Sequence, residues 1–176
     1  MDISSNDAIF FQCAKEKFDA TIYSPFAGNL EEAVKQAHAY GLGLISLLLM
    51  SNPEFDRIKH CFRKKDGTDI LLDITKESRA DGIVVAAPSL RNHISYQEIV
   101  KISAALFDRL VLVPGMDVQG GEARLLVGLF LNNTIVTVGR SITHAKNPKE
   151  EDKNFRDYVN TWRQVAHSKT DMTFSG

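Results

Sequence analysis

Two short runs in this chain carry residue types suited to holding an anion or a polar ring edge. Val138-Gly139-Arg140-Ser141 places a glycine and a guanidinium in succession at the end of an apolar stretch. Backbone N–H groups that glycine leaves approachable, together with the planar fork of N–H donors on arginine, can converge on one phosphate. Pro114-Gly115 leads through four residues that include Gln119 to the pair Gly120-Gly121. Gln119 both donates and accepts, as the edge of a polar ring requires. Met50-Ser51-Asn52-Pro53 and Pro88-Ser89 end other apolar runs and are less informative. Pro-Gly and Gly-Gly are also ordinary turn punctuation, and an arginine after a strand also serves surface ion pairs. Residue types alone leave both readings open.

Other chemistries find little support. His38, His60, His93, His144 and His167 form no ligand spacing, and Cys13 and Cys61 make neither a metal pair nor a disulfide framework. His144 follows the Arg140 run closely enough to approach an anion, although a surface role is the simpler reading. No nucleophile elbow, Walker loop or dinucleotide fingerprint is present, so no metal and no cofactor is expected. A net charge of −1 gives no reason to expect nucleic acid or an anionic membrane as partner. The longest apolar run, Leu42 to Met50, is interrupted by Gly43 and Ser46 and falls far short of the roughly 20 residues of a membrane span. The opening MDISSND has no basic-then-apolar leader, and with two unpaired cysteines the chain reads as cytoplasmic.

What must position these runs is an alternation of buried strands and capped helices. Asp19–Ser24, Gly43–Met50, Asp81–Pro88, Arg109–Gly115 and Asn133–Gly139 are short and nearly continuously apolar, as in a parallel sheet covered on both faces. Asn29 with Glu32, Ser95 with Glu98, and Asn147-Pro148 with Glu150 each set a capping side chain three residues before an acid. An opening helix over about Asn6–Lys17 is expected to turn Ile9, Phe10 and Cys13 inward. Ile99, Ile102 and Leu106 share one face of the helix after Ser95. Phe155, Val159, Trp162 and Ala166 share a face of the last helix, with Trp162 as a core anchor. Between Asn52 and Arg79 one or two helices surround a turn at Asp66-Gly67, and Arg63-Lys64-Lys65 forms a solvated face. Residues 1–169 read as one domain and 170–176 as a disordered tail. Five such strands make either a small doubly wound sheet or part of a (β/α)8 barrel, which normally needs about 250 residues and eight strands.

In order along the chain, four runs resemble the orotidine 5′-phosphate decarboxylase family. "FDATIYSPFAGNLEEAV" resembles its fourth strand and helix, and "LLLMSNPEF" the end of its fifth strand. "PGMDVQGG" resembles the loop after its seventh strand, and "VGRSITHAKNP" the end of its eighth, with the Asn-Pro that starts the last helix. The resemblance covers about Asp2 to Trp162. It implies a TIM-barrel-type α/β fold, incomplete here, with strands 4 to 8 present and the first three missing. It also implies a homodimeric, cofactor-free carboxy-lyase that converts orotidine 5′-monophosphate to UMP in pyrimidine biosynthesis. By the same resemblance Gly139 and Arg140 hold the phosphate and Gln119 bridges phosphate and pyrimidine. Ser51 bonds the ring, Pro114 lines its pocket, and 115–121 forms a lid.

The family's proton donor is a lysine in an Asp-x-Lys-x-x-Asp-Ile run. Asp2-Ile3 matches only the last two positions of that run, and Asp2 is the one catalytic residue carried over, reaching into a partner subunit. Ser4, Ser5 and Asn6 stand where the family has a threonine, and Lys15 and Lys17 do not align with the catalytic lysine. The chain alone is therefore expected to bind UMP-like nucleotides weakly at best and to be inactive. Two other readings stay open: a related sugar-phosphate lyase of the same superfamily, such as a hexulose-phosphate synthase, and a non-catalytic half-barrel that binds or assembles.

Overall fold

The structure, a computed structural model, describes residues 3–64, 69–114 and 123–173, with side chains as far as Ala166. Its contacts group the chain into two compact units. The first comprises 1–50 and 54–85, and the second 51–53 and 86–176.

The first unit holds helix α1 (Ile3–Ala14), strand β1 (Ala20–Tyr23), α2 (Leu30–Ala39), β2 (Gly43–Leu49), α3 (Pro53–Lys59), α4 (Ile70–Ser78) and β3 (Gly82–Val85). The strands pair in parallel, with Thr21 opposite Leu44 and Ser46 opposite Ile83. All four residues of β3 are buried, as expected of a strand covered on both faces. Ser46 is fully buried and meets Thr75 of α4, Oγ to Oγ1 at 3.2 Å, so the polar residue in this apolar strand is satisfied. The core joins Phe11 and Ala14 of α1 to Leu30, Ala33, Val34 and Ala37 of α2.

Helix α2 ends where glycine allows it to. Gly41 has φ +75°, and the Leu42 and Gly41 N–H groups return to the carbonyls of Ala37 and His38. That is the pattern of a left-handed helix stop.

The opening helix corrects the sequence reading. It starts at Ile3, and its inward stripe is Asp7, Phe11 and Ala14, while Ile9, Phe10 and Cys13 are exposed. Asp7 sits in that stripe because it accepts the Tyr23 hydroxyl at 2.8 Å and the Asn29 carboxamide at 3.0 Å. The same bonds explain a second departure: Asn29 stands at the N-cap of α2 without capping it.

The second unit holds α5 (Tyr96–Leu106), β4 (Leu110–Val113), α6 (Ala123–Phe130), β5 (Thr134–Val136), the short α7 (Arg140–Thr143) and α8 (Pro148–Thr173). Strands β4 and β5 pair in parallel, Val111 opposite Thr134. Helix α5 begins with the expected capping box, in which Ser95 Oγ accepts the Glu98 N–H and the Glu98 carboxylate accepts the Ser95 N–H. Ile99, Ile102 and Leu106 face the core as predicted, joined by Ala123, Leu126, Val127 and Phe130 of α6.

Helix α8 starts at the predicted Asn147-Pro148, with Asn147 Nδ2 donating to Glu150 at 2.9 Å. Only Val159 of its predicted apolar face is fully buried. Trp162 is half-buried and packs its ring 4.3 Å from that of Tyr158, so it is not the core anchor the spacing suggested. The helical backbone runs to Thr173, past Thr170 where a tail was expected.

Candidate functional site

Four of the predicted binding residues, Ser51, Pro114, Gly139 and Arg140, belong to the second unit and follow the carboxyl ends of strands. Parallel α/β folds place their ligands at those ends. Asp2, Gln119 and the whole run 115–122 lie outside the described residues.

The Gly139-Arg140 corner is built by the end of β5. Thr137 donates its N–H to the Val113 carbonyl at 2.9 Å, which carries the β4–β5 pairing one residue past the strand. The chain then turns at once into α7, and the Ile142 and Thr143 N–H groups both return to the Gly139 carbonyl at 3.0 Å. The Arg140 side chain is exposed and makes no hydrogen bond or ion pair with the described residues. A Cβ built on Gly139 meets no atom within 4 Å, so crowding by the described residues does not explain the glycine.

Pro114 is half-buried directly after Val113, itself fully buried, so the residue is anchored from below. Ser51 is half-buried in the turn before α3. Its neighbour Asn52 offers a carbonyl to His93 Nε2 at 3.3 Å.

His93 comes from a loop the sequence reading passed over. Asn92 organises that loop: its Nδ2 donates to the Ala87 carbonyl at 2.9 Å, and its Oδ1 accepts the Ser89 and Ile94 N–H groups at 3.2 and 3.1 Å. A Ser-x-x-Asn run just before a capping serine is the signal that could have revealed it, since both side chains compete for local backbone N–H groups.

In the first unit the Asp7–Tyr23–Asn29 cluster was likewise not foreseen. Burial, reinforced by the bond to Asp7, pushes the Tyr23 hydroxyl up to about 12.

A groove of about 480 Å³ runs between β5 and α8, lined by Ile135, Thr137, Val138, Phe155, Val159 and Arg163 among others. Gly139 and Arg140 do not line it. It lies along β5, and neither Ser51 nor Pro114 lines it either. Among the described residues no group of three or more His, Cys, Asp or Glu is arranged to hold a metal, and no helix is long and apolar enough to cross a membrane.

Comparison with known proteins decides the lineage. The profile of the orotidine 5′-phosphate decarboxylase / HUMPS family matches residues 2–155. The chain belongs to this family. An orotidine 5′-phosphate decarboxylase of Methanocaldococcus jannaschii is 34% identical over 92 residues, which are 52% of this chain and 40% of that protein. One of Methanococcus maripaludis is 35% identical over 78 residues, 44% of this chain and 33% of that protein. The chain thus spans less than half the length of these curated relatives.

Solved structures agree on the fold. Leishmania donovani UMP synthase superposes with TM-score 0.76 at 19% identity, over 92% of this chain and 37% of that one. The Methanocaldococcus jannaschii orotidine 5′-monophosphate decarboxylase complexed with the inhibitor BMP superposes with TM-score 0.71 at 25% identity, over 90% and 70%. The five parallel strands and their helices are therefore a barrel-like α/β fragment of the orotidine 5′-phosphate decarboxylase family, as its motifs implied.

Proposed function

We propose that this chain binds a pyrimidine nucleoside 5′-monophosphate and forms the phosphate and base clamp of a carboxy-lyase that converts orotidine 5′-monophosphate to UMP. The observation that carries the reading is the Gly139–Arg140 corner, where an exposed guanidinium with no partner among the described residues stands beside a glycine with open space at its Cβ position. Arg140 takes the phosphate bidentately, and Gly139 lets backbone N–H groups approach it. Ser51 bonds the pyrimidine, Pro114 lines the ring, and Gln119 bridges the two ends. The M. jannaschii relative was solved with an inhibitor bound, which supports a ligand-holding role for the shared fold.

Decarboxylation breaks the bond between the ring carbon and the carboxylate, leaves the electron pair on that carbon and needs an acid to protonate it. The family supplies a lysine for this step, and no Asp-x-Lys pair occurs in the 176 residues. The chain by itself therefore binds nucleotide without turning it over. Asp2 would act across a homodimer, and the reaction belongs to the cytoplasm, where pyrimidine nucleotides are made.

Titration calorimetry with UMP tests the reading. Arg140→Ala should weaken UMP binding about tenfold or more, the scale of a lost hydrogen bond to a charged group. Unchanged affinity would remove the phosphate site. Tighter binding of ribulose 5-phosphate than of UMP would favour the sugar-phosphate lyase instead. A chain that binds neither ligand would be the non-catalytic half-barrel.

A further inference from the structure

We propose that His93 is a positioning residue for the nucleobase end of the site, acting through Asn52 to hold Ser51; this rests on the reading of Ser51 given above. The two segments come from different strand ends, yet 51–53 and the loop bearing His93 fall in the same compact unit. The link is the Nε2–carbonyl bond at 3.3 Å. A carbonyl only accepts, so Nε2 carries the proton and donates in both the neutral and the charged ring.

His93 is itself held. Asn92 beside it makes three bonds to its own loop, and Ile94 on the other side is buried. From Ser95 the chain enters a capped helix, so the imidazole is mounted on a braced turn. Ser51 and Asn52 lie between the end of β2 and the start of α3, in neither element. A bond to the Asn52 carbonyl fixes the Asn52–Pro53 peptide plane, one unit on from Ser51, and so narrows the backbone torsions through which the Ser51 hydroxyl is aimed. A side chain that must meet one ring edge gains affinity from being oriented in advance.

This role predicts a split that general damage to the fold would not produce. The full chain is titrated with UMP and with ribose 5-phosphate, which has the phosphate end without the base. His93→Ala should weaken UMP about five- to tenfold, the scale of one hydrogen bond, and leave ribose 5-phosphate unchanged. His93→Gln, which keeps an N–H donor at similar reach, should recover most of the loss. His93→Ala added to Ser51→Ala should cost nothing further, because both act through one hydroxyl.

Equal weakening of both ligands, no weakening of either, or additive losses in the double variant overturns the proposal. If the unsubstituted chain binds ribose 5-phosphate but not UMP, the nucleotide reading fails. Amide exchange at Ser51 and Asn52 then decides the role of His93: faster exchange there in His93→Ala sustains the brace, and unchanged exchange ends it.

Discussion

The Tyr23 hydroxyl, at the end of β1, donates to the Asp7 carboxylate of α1 at 2.8 Å, and Asn29 donates to the same oxygen at 3.0 Å. Three residues from three segments thus share one carboxylate that is 9% exposed. Asp7→Ala removes the acceptor that both donors share and leaves Tyr23 and Asn29 bonded to each other, and losing such an acceptor costs about 1–3 kcal/mol. We expect a loss of roughly 2 kcal/mol in urea unfolding, with Tyr23→Phe losing less because the carboxylate keeps Asn29. A cost for Asp7→Ala no larger than that of an ordinary surface substitution would show that the cluster is not coupled to folding.

Alkaline titration reads the same cluster differently. The hydroxyl of Tyr23 is raised to about 12, above its ordinary value near 10. A group raised in the folded state contributes stability that is whole below its unfolded value and lost as pH rises through the folded one. The stability advantage of the unsubstituted chain over Tyr23→Phe should therefore shrink between about pH 10 and pH 12. Denaturant midpoints measured across that window check it.

Asp81 predicts an acid-side effect. Burial works against its charge, but the Leu44 N–H and the His38 imidazole, each at 2.8 Å, more than offset this and hold the carboxyl below its usual range. A lowered carboxyl contributes stability that is present above its unfolded value, about 3.9, and lost as pH falls through the folded one. His38→Ala should move the acid-unfolding midpoint upward. An unmoved midpoint by circular dichroism would assign the whole shift to the Leu44 bond.

Arg163 of α8 donates to the Thr134 carbonyl. Because Thr137 faces β4, the period-2 alternation turns the Thr134 and Val136 backbone groups to the free side of β5. The guanidinium therefore blunts an open sheet edge, and Ile135 beside it is 45% exposed. Arg163→Ala should raise concentration-dependent association in sedimentation experiments, and an equally monodisperse variant would show that the edge is protected by other means.

The strand–helix order, the Ser95 capping box and the Asn147-Pro148 start were all legible in the sequence. Each depends on neighbours a few residues apart: capping is a three-residue relation, and a buried strand is a short apolar run. Family membership was legible for a similar reason, since Gly139-Arg140 and Pro114-Gly115 keep their local spacing whatever the rest of the chain does.

Tertiary structure alone decided which face of α1 turns inward. Ile9 and Phe10 look like the buried stripe until Asp7 is seen to have partners at Tyr23 and Asn29, 16 and 22 residues away. Apolar periodicity cannot report a buried carboxylate, because what makes its burial affordable is a pair of donors from other elements. Likewise, nothing near His93 names Asn52, 41 residues before it, as its acceptor. The sequence determined the elements and the lineage, whereas long-range hydrogen bonds, which leave no local pattern, decided how polar side chains brace the strand ends.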